Sequence, residues 1–107
     1  MERYKEKFIN FLLDNGALKF GEFTLKSGRI SPYFLNTGML HSGEALNMLG
    51  SIYAEAIFGS IGSNFTTIFG PAYKGIPLAV ATITALHTKY GINRNYSFNR
   101  KEVKDHA

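Results

Sequence analysis

The chain has 107 residues, with 12 Lys and Arg against 8 Asp and Glu, 3 His, and neither Cys nor Trp. That length allows one domain with a core of its own, and the lack of Cys excludes a disulfide framework, a zinc knuckle and a thiol nucleophile. A hydrophobic share of 45% against 19% charged residues excludes a disordered chain, while a net charge of +4 permits an anionic partner without requiring nucleic acid.

The first residues mix both charge signs and the apolar stretch 8–13 is short, which is not the pattern of a signal peptide. Phe8, Leu12 and Leu13, with Ile9 and Phe11 alongside, predict an amphipathic helix over 2–15, stopped by Gly16. Residues 18–36 change to short aromatic and β-branched runs on either side of Lys26-Ser27-Gly28-Arg29, the pattern of a β-hairpin. Pro32 puts the second arm at an edge or a bulge. Ser42 is placed to cap a helix reaching about residue 58, with Leu46, Leu49, Ile52 or Tyr53, and Ala56 or Ile57 as its apolar face. Gly59 and Gly62, with the Ser and Asn residues around them, predict a loop. Residues 65–69 then read as a buried strand, Pro77 as the first turn of a helix running to about Tyr90, and 95–98 as a last strand. Strand, helix and strand make one βαβ unit with a right-handed crossover. A lone unit leaves an open strand edge, so the chain reads as part of a larger α/β fold. The longest uncharged run, 56–73, is broken by Gly, Ser, Asn, Thr and Pro, whereas a membrane span needs about 20 mostly apolar residues.

Open α/β sheets hold ligands at the C-terminal ends of their strands. One such end is Gly70-Pro71-Ala72-Tyr73-Lys74-Gly75, where backbone N–H groups, a helix dipole and Lys74 favour an anion. The Walker A order is absent, and a solvated loop lysine suits the same residues. The other end is Asn99-Arg100-Lys101-Glu102-Val103-Lys104-Asp105-His106, by composition a solvated charged tail, by position the place where an active-site loop emerges. A third basic cluster is the turn Lys26-Ser27-Gly28-Arg29. His41, His87 and His106 have no metal-ligand spacing, and no Gly-x-Ser-x-Gly elbow occurs. Phe20, Phe23, Tyr33 and Phe34 suit a core better than nucleobase stacking.

Taken together, three stretches resemble the orotate phosphoribosyltransferase family of type I phosphoribosyltransferases. They are Leu18-Lys19-Phe20-Gly21-Glu22-Phe23-Thr24-Leu25-Lys26-Ser27-Gly28-Arg29 with Ser31-Pro32-Tyr33-Phe34 and Asn36; Phe69-Gly70-Pro71-Ala72-Tyr73-Lys74-Gly75-Ile76-Pro77; and Phe98 through His106. The resemblance covers the whole chain and implies the N-terminal half of such an enzyme. The implied fold is α/β, a parallel sheet flanked by helices with an N-terminal hood hairpin. Residues 1–41 would form the helix and hood, 42–98 the start of the core, and 99–107 the start of a mobile catalytic loop. The implied reaction transfers the phosphoribosyl group from 5-phosphoribosyl 1-diphosphate (PRPP) to orotate, giving orotidine 5′-phosphate and diphosphate in pyrimidine biosynthesis. The implied setting is a cytoplasmic homodimer, with Mg²⁺ bound mainly through the substrate diphosphate and no nucleic-acid or membrane partner.

Residue by residue, the resemblance makes Lys26, Lys104 and His106 catalytic. It gives PRPP binding to Lys26, Tyr73, Lys74, Arg100, Lys101, Lys104 and His106, the loop closing over the neighbouring subunit's site. Phe34 and Leu35 would bind orotate, and no residue here would hold a metal. Leu35 stands where many relatives have a second Phe, and Ala107 where they have Gly. The Asp-Asp strand end with its Thr-Gly-rich loop does not occur in these residues. A fragment cut inside the mobile loop, inactive alone, is therefore expected; the alternative is a catalytically inactive phosphoribosyl-ligand-binding or regulatory relative.

Overall fold

The structure is a computed structural model that describes residues 2–102. It divides at Ala45/Leu46 into two compact units.

In the first unit, helix α1 (Arg3–Asp14) buries Phe11 and Leu12. It stops as its sequence demands. Gly16 takes a left-handed φ of +70°, its N–H donates to Leu13 O at 3.1 Å, and the Ala17 N–H donates to Leu12 O at 2.9 Å. Two terminal carbonyls are thereby satisfied. Strand β1 (Leu18–Thr24) pairs antiparallel with β2 (Ile30–Leu35), from Leu18 opposite Leu35 to Thr24 opposite Ile30. The turn closes with the Gly28 N–H on Leu25 O at 2.9 Å and the Leu25 N–H on Arg29 O at 2.8 Å, Gly28 having φ +86°. Between the pairs Phe20–Tyr33 and Phe23–Ser31, β1 has one residue more than β2. Pro32 lies across from this bulge, where its missing N–H costs no ladder bond. In a two-stranded sheet β2 is also an edge, so Pro32 meets both of its expected places at once.

Helix α2 (Gly43–Ile61) opens with the Ala45 N–H donating to Ser42 Oγ at 3.0 Å, the expected cap. It runs past the expected end near residue 58. Gly59 is thus a helix residue rather than a loop residue, and Gly62, with φ +59°, makes the stop. A glycine inside a helix costs about 1 kcal/mol relative to Ala, too little to end a helix whose preceding turns are packed.

The second unit contains β3 (Thr67–Gly70), α3 (Gly75–Tyr90) and β4 (Asn95–Phe98). The two strands are parallel, with Thr67 beside Asn95 and Gly70 beside Phe98. The βαβ unit is therefore present. Ala54, Ala85, Leu86 and Ile92 form its buried centre, with Ile57, Phe65, Ile68, Ile83 and Tyr90 packed on them. Thr82, buried among apolar residues, returns its hydroxyl to Leu78 O at 2.8 Å and so carries no unmet donor. The strand expected over 65–69 starts later because Phe65 is engaged elsewhere. Its N–H donates to Ser63 O, and its carbonyl accepts from Arg94 Nε at 2.7 Å.

Helices α2 and α3 touch closely at Gly50, where a Cβ would lie 2.4 Å from Ala81 O. At Gly59 a Cβ would meet open space. Gly59→Ala is therefore expected to stabilise the protein by about 0.5–1 kcal/mol, and Gly50→Ala to destabilise it by about 1–3 kcal/mol. Urea unfolding of the two variants checks this; shifts of the same sign would contradict the close crossing. Among the described residues, no helix is long and apolar enough to cross a membrane.

Candidate active site

Because β3 and β4 are parallel, both end at the same edge of their sheet. Gly70, buried, ends β3, and the chain turns through residues 71–74 into α3. The turn is backbone against backbone. A Cβ on Gly70 would lie 2.4 Å from Gly75 O, and one on Gly75 would lie 2.6 Å from Pro71 Cδ. The Ala72–Tyr73 peptide is cis.

The helix start offers less to an anion than the sequence implies. The Gly75 N–H donates to Pro71 O at 3.0 Å, the Ile76 N–H to Tyr73 O at 3.2 Å, and Pro77 has none. What the turn presents is the charge of Lys74, exposed immediately before the helix, with the positive end of the helix dipole behind it.

The segment after β4 is tied to this turn at two points. Asn99 Oδ1 accepts the Ala72 N–H at 2.8 Å, and the Tyr73 hydroxyl donates to the Glu102 carboxylate. Arg100 and Lys101, both exposed, lie between those ties. Tyr73, Lys74, Arg100 and Lys101 therefore belong to one joined pair of segments at the strand ends. Three exposed cations on these two joined segments suit a multiply charged anion.

On the hairpin, Lys26 is at the exposed tip, while Phe34 pairs with Lys19 and Leu35 with Leu18 at the other end. Those ends are about 15 Å apart along the strand. Adjacent strand residues also point to opposite faces. Phe34 and Leu35 therefore do not form a side-by-side pair of side chains, as joint orotate contacts would suggest. The Phe34 ring lies 5.7 Å from that of Phe23.

Among the described residues, no three His, Cys, Asp or Glu side chains cluster to hold a metal ion. The exposed side chains of Lys74, Arg100 and Lys101 are cationic and suit an anion rather than a metal ion.

No family model matches the chain. It is 58% identical over all 107 residues to an orotate phosphoribosyltransferase of Nitrosococcus oceani, covering 48% of that protein. It is 53% identical over the same span to one of Clostridium acetobutylicum, again covering 48%. The crystal structure of orotate phosphoribosyltransferase from Francisella tularensis superposes with a TM-score of 0.81 at 54% identity, over 88% of this chain and 46% of that one. The chain is homologous to orotate phosphoribosyltransferase. It spans about half the length of the curated relatives it matches. The orotate phosphoribosyltransferase from Mycobacterium tuberculosis, 20% identical, shares the fold with a TM-score of 0.63. The hairpin and the parallel strand pair are thus parts of the α/β fold of orotate phosphoribosyltransferases.

Of the residues that the resemblance assigns, Tyr73, Lys74, Arg100 and Lys101 are brought together, and Lys26, Phe34 and Leu35 belong to the hairpin. Lys104 and His106 lie outside the described residues. Sequence reasoning gave no role to Asn99 or Glu102, which make the bonds joining the two segments. Their only signal was position, polar residues directly after a strand opposite another strand end.

Proposed function

We propose that the chain is part of an enzyme that transfers the phosphoribosyl group from PRPP to orotate, giving orotidine 5′-phosphate and diphosphate. The observation carrying this reading is the 53–58% identity, over every residue of the chain, to proteins named for that reaction. The joined strand-end segments support it with chemistry. As the bond from the ribosyl carbon to diphosphate breaks, its electron pair leaves with the diphosphate and the carbon becomes oxocarbenium-like. A deprotonated ring nitrogen of orotate then supplies the electron pair of the new bond.

Lys74, Arg100 and Lys101 neutralise the departing oxygens, and Tyr73 shapes the turn that presents Lys74. Lys26 adds a further cation for PRPP, and Phe34 supplies ring surface for orotate with the backbone of Leu35 beside it. Mg²⁺, carried by the diphosphate, supplies further charge neutralisation when bound. Lys104 and His106 act in catalysis across a homodimer in the cytoplasm. No observation favours a binding-only relative.

The test compares the 107-residue chain with a fusion of it to the part of the Nitrosococcus oceani relative that lies outside the match. With orotate, PRPP and Mg²⁺, the fusion is expected to form orotidine 5′-phosphate and the chain alone to form none. A folded fusion that binds PRPP and does not turn over overturns the reading.

A further inference from the structure

The two ties between the strand-end segments differ in what they mean for an incoming anion. The bond from the Ala72 N–H to Asn99 Oδ1 is neutral on both sides and can persist when an anion arrives. The bond from the Tyr73 hydroxyl to Glu102 places a full negative charge on the residue next to Lys74. A carboxylate and a diphosphate on the same short, exposed turn repel each other, so each weakens the hold on the other.

We propose that Glu102 is a positioning residue that competes with diphosphate for the turn at residues 71–74. Bound to Tyr73, it holds the segment 99–102 against the turn. Diphosphate binds when that bond opens, and the segment then moves about the Asn99 tie with Arg100 and Lys101 free to meet the anion. The measured affinity is the intrinsic affinity reduced by the fraction of molecules with the bond open. The return of Glu102 to Tyr73 also favours departure of the product diphosphate, so the pair lowers ground-state binding without touching the reacting carbon. The inference rests on the anion-binding role given to Lys74 above.

Calorimetric titration with inorganic diphosphate tests it on the 107-residue chain, using Glu102→Ala, Glu102→Gln, Tyr73→Phe, the double variant Tyr73→Phe/Glu102→Ala, and Lys74→Ala. Glu102 is exposed, so its substitutions leave the fold intact, as circular dichroism would show. Both Glu102 variants are expected to bind diphosphate about fivefold more tightly than the unaltered chain. In the Tyr73→Phe background the same change is expected to give less than twofold, because the carboxylate is no longer held. An equal gain in both backgrounds makes Glu102 merely a neighbouring charge and overturns the inference, as does no gain at all. If Lys74→Ala weakens binding while Glu102 variants change nothing, the competition fails and the anion site stands. If no folded variant binds diphosphate, the anion site fails and takes the competition with it.

Discussion

Lys74→Ala is expected to weaken the binding of diphosphate at least tenfold. Lys74 is exposed on the last residue before α3, on a turn whose other polar groups are largely engaged within the protein. Its side chain is thus the main free charge that the turn supplies. A charge-assisted contact is worth roughly 1.5–3 kcal/mol, which corresponds to about a tenfold to hundredfold change in dissociation constant. Lys89→Ala is the control. Lys89 lies late on α3 and donates to Ser51 Oγ at 2.9 Å on α2, so its loss affects helix packing rather than a ligand. Titration of both variants with inorganic diphosphate at low ionic strength separates the two roles. Equal effects would return Lys74 to the class of solvated loop lysines.

Gly70→Ala is expected to destabilise the protein by about 2–3 kcal/mol, at the upper end of what overpacking costs. The new Cβ would meet Gly75 O at 2.4 Å and Ala79 Cβ at 2.9 Å. The first neighbour is backbone held by the start of a helix, so relief requires moving the turn that carries Tyr73 and Lys74. Urea unfolding measures the loss, and faster hydrogen exchange at the Ala72 amide reports the displaced turn. Gly43→Ala, where a Cβ meets nothing within 4 Å, is expected to change stability by less than about 0.5 kcal/mol. A Gly70→Ala protein as stable as the Gly43→Ala protein would refute the tight packing of strand end on helix start.

The elements that could be read from the sequence are those fixed by local chemistry. Ser42, Gly16 and Pro77 mark helix ends through groups within a few residues of them, and each sits where its chemistry predicts. The hairpin followed from a glycine-bearing turn between aromatic runs. Gly59 misled because a glycine signals a stop only where packing does not outweigh its small penalty. The start of β3 depended on Arg94, distant in sequence, taking the Phe65 carbonyl. The same distance hid Asn99 and Glu102. Their partners are 27 and 29 residues away, and no periodicity marks a side chain that serves another loop. Nothing local marks Gly50 as a close contact either, since its neighbour Ala81 belongs to another helix.

The bulge opposite Pro32 also bears on how the protein behaves when concentrated. The hairpin is a two-stranded ribbon that leaves Phe20 70% and Ile30 66% exposed. A flat ribbon with such residues would recruit the ribbon of another molecule through its free backbone groups. Here the extra residue in β1 bends that side of the ribbon, and Pro32 interrupts the row of donors on the other. Intermolecular strand addition thus meets a broken template on each edge.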